Sequence, residues 1–162
     1  MNLTSAKLAS TSRVEVVQIV LPGDANALGT AFGGRVVQWM DLAAAVTARR
    51  HCGMPCVTIS IDQLTFLAPI RIGAVVIIHA QVNAVFGSSL EIGVDVIVED
   101  PDVGTRQKCC DAFLTFVALG PDGKPARAPL LLPRTEEEVE RVKQAEARRA
   151  ARLAARSTTP RG

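Results

Sequence analysis

The chain has 162 residues, of which 48% are hydrophobic, so it is long enough for one domain with a sizeable core and too apolar to be disordered throughout. Its net charge of +2 argues neither for nor against an anionic partner. No apolar run approaches the roughly 18 residues that span a bilayer, so we predict a cytoplasmic protein with no membrane partner.

The first part of the chain predicts one strand and one helix. We expect a disordered N-terminus over residues 1–12 and then an alternating strand over about 13–21, which Pro22 and Gly23 end. A loop leads to a helix that runs from Gly34 to about residue 50 and has almost no polar face. A helix that is apolar all round is buried all round.

The middle of the chain predicts four long strands. They are expected at about 56–67, 74–86, 88–100 and 105–119. The third strand alternates apolar residues with Glu91, Asp95 and Glu99, which predicts one buried face and one wet face. The connections are too short for crossover helices, so the strands are expected to pair antiparallel.

The last 29 residues predict a second helix. Thr135 and Glu138 have the spacing of a capping box, and the helix is expected to run to about Ala155. Residues 134–162 carry eight basic and five acidic residues. We interpret this segment as a solvated helical extension with a frayed end. An RNA-binding tail is the alternative, but acids are interspersed and no aromatics accompany the arginines.

These elements predict an α+β protein with a single hotdog domain over residues 13–133. In this fold a long central helix is wrapped by a curved antiparallel sheet, here of about five strands. A C-terminal helix over residues 134–162 is added to that domain. One layer of sheet cannot cover every side of an apolar helix, so we expect a second copy of the chain to complete the core.

Four cysteines are present, and no secretory signal accompanies them, so reduced thiols are expected. His51, Cys52 and Cys56 raise the alternative of a zinc site. The adjacent Cys109 and Cys110 point to opposite faces of a strand, however, and so cannot supply the second pair of ligands. We predict packed thiols and no metal.

The predicted central helix has two unusual features. Gly33 and Gly34 stand at its start, where free N–H groups and the positive end of the dipole suit a developing oxyanion. Asp41 lies in its middle, where apolar surroundings disfavour an unpaired charge, and chemistry is one reason for its presence. The alternative is that the helix begins at Leu42 and that Asp41 is its N-cap.

An ordered set of motifs carries a family resemblance. It begins with Asp24-Ala25-Asn26, Gly29, Gly33-Gly34 and Trp39-Met40-Asp41. It continues through residues 48–52, 55–58, 86–93, 115–118 and 133–138. The set resembles the acyl-CoA thioesterases of the hotdog superfamily, both the vertebrate cytosolic acetyl-CoA hydrolase and brown-fat group and the bacterial short acyl-CoA enzymes. The vertebrate relatives fuse two hotdog units, so two copies of this chain would have to reproduce that pair.

The resemblance implies roles for the motif residues. Asp41 is the implied general base or nucleophile, Asn26 orients water or the carbonyl, and a backbone N–H of Gly33 or Gly34 contacts the oxyanion. By analogy with the fused relatives, Asn26 and Asp41 of one site come from different protomers. The sequence around Asn26 also fits an ordinary Asx turn.

The resemblance further implies that Thr58 and the turn Gly87-Ser88-Ser89 contact CoA. Small residues and hydroxyls permit close approach and hydrogen bonds. A bulge with solvated serines is the alternative interpretation. The sequence does not choose among the candidate cations for the CoA phosphates, which are Arg71, Arg106, Lys108 and Arg127.

The resulting hypothesis is an acyl-CoA hydrolase of lipid metabolism that releases free fatty acid and CoA and uses no cofactor, CoA being part of the substrate. Self-association as a dimer, and as a hexameric trimer of dimers, is expected, without nucleic acid. The alternative is a non-catalytic acyl-CoA-binding hotdog protein. A hotdog dehydratase is disfavoured because His51 and His79 both lie away from the start of the helix.

Overall fold

A computed structural model describes residues 6–158 of the chain. The strands are β1 (Lys7–Leu8), β2 (Val14–Ile19), β3 (Cys56–Asp62), β4 (Val75–Phe86), β5 (Ser89–Asp100), β6 (Thr105–Ala118) and β7 (Leu131–Leu132), and the helices are α1 (Gly33–Cys52) and α2 (Glu136–Thr158). Short 3-10 turns occupy Ala9–Thr11 and Pro22–Asp24. Neither of the two described helices has the length and apolar character needed to cross a membrane.

Five strands form one antiparallel sheet in the order β2-β4-β5-β6-β3. We define its inner face as the one that packs on α1. Apolar side chains in alternate positions of the three long strands fill this face, among them Ile78, Val82, Leu90, Ile92, Leu114 and Phe116. A curved five-stranded sheet around one long helix confirms the predicted α+β hotdog fold.

Helix α1 ends as the sequence predicts. Gly53 has φ of +69°, and its N–H bonds the carbonyl of Arg49 at 2.8 Å. The helix is not buried all round within one chain, because Leu42 is 59% exposed and Val46 is 44% exposed. The sheet of one chain covers only one side of α1, which was the reason to expect a second copy.

Strand β3 is an edge of the sheet and is shorter than predicted. It ends at Asp62 rather than near residue 67, because Gln63 has φ of +56°, which turns the backbone out of the strand. Its pairing with β6 shifts register between Thr58 and Ser60. The bulge leaves Ile59 unpaired, so Thr58 lies on the inner face while Ser60 and Asp62 lie on the outer face.

The prediction that the C-terminal helix is a solvated extension is wrong. Helix α2 lies on the outer face of the sheet, and its own Ala145 is fully buried against that face. The guanidinium of Arg152 pairs with Asp62 of β3. The guanidinium of Arg149 lies 4.9 Å from the centre of the Phe86 ring. Long arginine side chains, rather than an apolar stripe, attach this helix to the sheet.

The predicted wet face of β5 is also wrong at Glu91, whose side chain is completely buried. Its two carboxylate oxygens accept hydrogen bonds from Arg148 at 2.7 and 3.2 Å. Asn83 Nδ2 donates a third bond to the same carboxylate at 3.0 Å. The Arg148 guanidinium lies 3.5 Å from the centre of the Phe113 ring. The strand pattern could not reveal this burial, because α2 supplies the cover.

The N-terminal segment differs from the expected disorder over residues 1–12. Lys7 and Leu8 form β1, which pairs parallel with β7. Lys7 Nζ donates to the carbonyl of His51 at 2.8 Å, at the C-terminal end of α1 where a cation is favourable. The first five residues, and residues 159–162 of the predicted frayed end, lie outside the described residues.

The N-terminus of α2 has the predicted cap in altered form. Thr135 Oγ1 accepts a hydrogen bond from the N–H of Glu138 at 3.1 Å. The Glu138 carboxylate reaches back to the N–H of Arg134 at 2.7 Å, one residue before the expected donor. The division between a hotdog domain at 13–133 and an extension at 134–162 stays a prediction.

Candidate active site

Asp41 lies in the third turn of α1 and is partly exposed. Its Oδ1 accepts a hydrogen bond of 2.7 Å from Thr58 Oγ1 on the inner face of β3. The alternative of an N-cap is wrong, because the helix begins at Gly33, eight residues earlier. Asp41 is therefore held between the helix and the edge strand.

The surroundings of Asp41 leave it free to react. Within residues 6–158 no lysine, arginine or histidine forms an ion pair with it. Thr58 satisfies one of the several lone-pair positions of a carboxylate, which leaves the others available to a ligand. Leu42 and Val46, about 100° and 140° around the helix from Asp41, are exposed and apolar.

The start of α1 offers open backbone donors. Phe32 is the N-cap and makes no side-chain capping bond. Its carbonyl accepts the N–H groups of Arg35 and Val36, so the first intrahelical bonds begin after the glycine pair. The N–H groups of Gly33 and Gly34 thus have no partner inside the helix, as geometry requires of a first turn. They are suited to an oxygen that gains negative charge.

Asn26 lies in the loop that leads to this helix start. Its Oδ1 accepts from the N–H of Leu28 at 2.9 Å and from the N–H and Oγ1 of Thr30 at 3.3 and 3.2 Å. The Asx turn therefore describes its geometry correctly. All three bonds use Oδ1, and the side-chain NH₂ remains to donate elsewhere.

The loop is folded back against its own helix. The N–H of Phe32 donates to the carbonyl of Asp24 at 2.9 Å, and Arg35 pairs with the Asp24 carboxylate at 3.0 Å. Asn26 is consequently grouped with the glycine pair of the same chain.

The site residues of one chain form two separate groups. Asn26 and the glycine pair lie at the start of α1, whereas Asp41 and Thr58 lie further along. At 1.5 Å per residue, Gly34 and Asp41 are about 10 Å apart along the axis, and about 20° apart around it. Both groups therefore lie on the exposed side of α1, too far apart to act on one bond within one chain.

The turn Gly87-Ser88-Ser89 does not contact either group. Gly87 has φ of +72°, which a tight turn between β4 and β5 requires, and Ser89 Oγ donates to the carbonyl of Phe86 at 3.3 Å. Ser89 pairs across the sheet with Val117, which pairs with Val57 of β3. Two strand spacings place the turn about 10 Å from β3, at the end of the sheet where β3 begins.

A cavity of about 300 Å³ opens beside the start of α1. It is lined by Thr30, Ala31, Gly33, Val36, Phe66, Leu67, Ala68, Pro69 and Ile70. We refer to it as the helix-start cavity. Sequence reasoning missed its loop, 63–70, because residues 63–67 are predicted as the end of a strand.

The cysteines and histidines form no second site among the described residues. All four cysteines are free, and no group of three His, Cys, Asp or Glu side chains is placed to hold a metal. A hydrogen bond with Cys56, together with burial, raises the pKa of the Cys52 thiol. Burial lowers the pKa of His51, whose Nε2 lies 2.9 Å from the carbonyl of Pro129.

Comparison with known proteins identifies the family. A profile of the thioesterase superfamily matches residues 28–105. An uncharacterized acyl-CoA thioester hydrolase of Bacillus subtilis is 38% identical over 139 residues, which cover 86% of this chain and 81% of the relative. The mouse acetyl-coenzyme A thioesterase is 37% identical over 135 residues, 82% of this chain but only 24% of its own length.

Solved structures of similar proteins support the same family assignment. A hexameric acyl-CoA thioesterase without ligand has a TM-score of 0.91 at 34% identity, covering 95% of this chain and 99% of that chain. An acyl-CoA hydrolase of Staphylococcus aureus, solved with butyryl-CoA and CoA, has a TM-score of 0.85 at 33% identity, covering 95% and 96%. The chain belongs to the thioesterase superfamily and is a hotdog protein of its acyl-CoA thioester hydrolase group.

Proposed function

We propose that the protein hydrolyses acyl-CoA thioesters to a free fatty acid and CoA, with Asp41 as the reacting carboxylate. The observation that carries the proposal is the position of Asp41. It is partly exposed, it is hydrogen-bonded by Thr58 alone among residues 6–158, and it lies on the same side of α1 as Gly34. A carboxylate with free lone pairs is suited to remove a proton from water or to attack a carbonyl.

The site is proposed to form between two chains. Two α1 helices that pack antiparallel about a two-fold axis bring the start of one helix beside the middle of the other. The glycine pair and Asn26 of one protomer then face Asp41 and Thr58 of its partner. The exposed Leu42 and Val46 supply the apolar surface that such a contact buries.

The chemistry follows from this arrangement. The thioester oxygen accepts a hydrogen bond from the N–H of Gly33 or Gly34, which stabilises the negative charge that develops on it. Asp41 takes a proton from water as the water oxygen bonds to the carbonyl carbon. The tetrahedral intermediate then breaks its C–S bond, and the CoA thiolate leaves and takes up the proton. Asn26 orients the water or the carbonyl through its side-chain NH₂.

Variants of a relative support the assignment. Separate structures of the S. aureus acyl-CoA hydrolase carry alanine in place of an asparagine, an aspartate and a threonine. Those three positions are spaced by 15 and 17 residues. Asn26, Asp41 and Thr58 have the same residue types, order and spacing in this chain.

The remaining expectations belong to the same proposal. The turn Gly87-Ser88-Ser89 and Thr58 contact CoA, and no cofactor or metal takes part. The protein assembles as a dimer and, like the hexameric relative, as a trimer of such dimers in the cytoplasm.

The direct test is hydrolysis. Purified protein is incubated with acyl-CoAs from acetyl to palmitoyl while released thiol is measured, and Asp41→Asn is assayed beside it. We expect turnover by the natural protein and its loss in the variant. Full activity of Asp41→Asn would overturn the mechanism. Binding of CoA without turnover of any substrate would favour the non-catalytic alternative.

The shared site has its own test. Asn26→Ala and Asp41→Asn chains, each inactive alone, are co-expressed with different tags, and the mixed dimers are purified. One site of each mixed dimer combines the intact Asn26 of one chain with the intact Asp41 of the other, so the purified mixed dimers should recover about half of the natural activity. Mixtures that stay inactive would show that each chain supplies its own complete site.

A further inference from the structure

We propose that the helix-start cavity binds the acyl chain of the substrate and that Phe66 sets the longest chain that it accepts. The inference rests on the proposed thioesterase function and deepens it by naming the substrate class, short- and medium-chain acyl-CoAs.

The position of the cavity is the first argument. Gly33 lines the cavity and also supplies one of the open N–H groups at the start of α1. A carbonyl oxygen bonded to that N–H places its carbonyl carbon within a few ångströms of Gly33. The acyl chain attached to this carbon then begins at the mouth of the cavity, while the sulfur points away toward the partner's Asp41 group.

The character of the walls is the second argument. Val36 of α1 is buried in the hydrophobic core, and Ile70 is 3% exposed. Both therefore form a fixed apolar floor of the cavity. Thr30 is the sole side chain in the lining with a hydroxyl group, and that hydroxyl is already bonded to Asn26. Backbone polar groups also line the cavity, but an apolar chain in it leaves no polar side chain unpaired.

The volume sets the chain length. A methylene group takes up a volume similar to that of a water molecule in the liquid, ~30 Å³. A cavity of about 300 Å³ therefore accepts a chain on the order of eight carbons, since part of its space is open to solvent. Butyryl fills it in part, and lauroyl exceeds it.

Phe66 forms the outer wall. Its ring lies directly against the helix start, where a Cβ on Gly33 would be 3.2 Å from Cε2. The ring is 43% exposed, so one side faces the cavity and the other faces out. The loop that carries it is fixed to the body, because the N–H of Leu67 donates to the carbonyl of Cys109 at 2.8 Å. A chain longer than the cavity has to displace this ring.

A larger cavity of about 440 Å³ is a poorer choice. It lies on the other side of Ala68 and Pro69, and Arg71, Asp100 and Asp102 contribute to its walls. It is lined by neither Gly33 nor Asp41. A hydrocarbon chain there would desolvate charged groups and would lie away from both halves of the proposed site.

The experiment compares chain-length profiles. The ratio kcat/KM is measured for acyl-CoAs from acetyl to palmitoyl with the natural protein, with Phe66→Ala and with Ala31→Leu, which adds a side chain inside the cavity. Val103→Ala is the matched control, because it truncates an exposed apolar residue of another loop. Melting temperatures are recorded to exclude unfolded variants.

We expect the natural protein to prefer octanoyl-CoA. Phe66→Ala shifts the preference toward lauroyl-CoA, with kcat/KM gaining about fourfold for each methylene that becomes newly buried. Ala31→Leu shifts the preference toward butyryl-CoA, and Val103→Ala leaves the profile unchanged. The opposite shifts of two variants at one cavity cannot follow from general destabilisation.

Two results would overturn the inference while leaving the proposed function intact. One is an active enzyme whose profile is the same in all four proteins. The other is a profile that responds to Leu42→Ala or Val46→Ala instead, which would place the chain along the seam between two α1 helices. Absence of any hydrolysis by the natural protein is distinct from both, because it contradicts the proposed function itself.

Discussion

Two carboxylates on opposite faces of the sheet show how burial and partners separate a reactive group from a structural one. Glu91, on the outer face, is completely buried and accepts three hydrogen bonds, two of them from the Arg148 guanidinium. Asp41, packed against the inner face, is partly exposed and accepts one hydrogen bond, from Thr58. The charge of Glu91 is neutralised within the chain, whereas that of Asp41 is not.

A carboxylate in an apolar stretch therefore indicates a reactive site only where no cation is paired with it. A buried carboxylate that an arginine holds by two bonds has its charge balanced and has no route to substrate or water. A partly exposed carboxylate that a hydroxyl orients keeps both. Replacing each residue and its partner in turn tests this contrast.

The largest expected effect is the loss of turnover in the Asp41→Asn variant. The variant keeps the size of the side chain but removes the base or nucleophile, so kcat should fall by about a thousandfold. The melting temperature should stay close to that of the natural protein. Thiol release and thermal unfolding are measured on the same preparation, and a kcat within tenfold of the natural value would contradict the role of Asp41.

The next effect is on stability and concerns Arg148. Replacing it by Met leaves the buried Glu91 charge without its partner, which should lower the free energy of unfolding by about 3 kcal/mol. The double variant with Glu91→Met should recover part of this loss, because no charge is then buried. Urea denaturation at one fixed protein concentration measures both.

Arg156→Met, a change at an exposed position of the same helix, is the control and should have little effect. An Arg148→Met protein as stable as the control would show that the ion pair does not hold α2 on the sheet.

A smaller effect on turnover is expected for Thr58→Val. This change removes the hydroxyl that donates to Asp41 but keeps the shape of the side chain. We expect kcat to fall by about tenfold, which corresponds to the free energy of one hydrogen bond to a charged group. Thr58→Ser retains the hydroxyl and should restore most of the activity. A Ser variant as slow as the Val variant would assign Thr58 a packing role instead.

The smallest effect concerns pH and His51. Burial lowers the pKa of this imidazole from 6.5, so the folded state holds it neutral while the unfolded chain takes up a proton as the pH falls below that value. The melting temperature should therefore decrease on going from pH 7 to about pH 5, and decrease less in His51→Gln. Equal pH dependence of the two proteins would contradict this assignment.

Much of the fold could be predicted because local patterns determine it. The apolar run of α1, the turn residue Gly53 and the cap at Thr135 each act through neighbours within a few positions. The burial of Glu91 could not be predicted, since it depends on a helix that comes more than 40 residues later in the chain. The two-residue strands β1 and β7 could not be predicted either, because they are too short to show alternation of apolar and polar residues.

The candidate site could be predicted in its members but not in its geometry. Asp41, Asn26 and the glycine pair were named from their motif, and the structure divides them between two groups on α1. The contact of Thr58 with CoA stays a prediction, while the bond from its hydroxyl to Asp41 was not foreseen. That bond depends on how β3 lies against the helix, and no spacing in the sequence encodes it. The catalytic roles themselves stay predictions.

The bulge at Ile59 has a consequence for aggregation. An exposed edge strand with apolar side chains is a template on which further copies add without limit. At the β3 edge the extra residue puts the hydrogen-bonding groups on its two sides out of step, so a regular strand cannot pair along its whole length. Deleting Ile59 should therefore leave β3 with a regular exposed edge and make the protein more prone to aggregate.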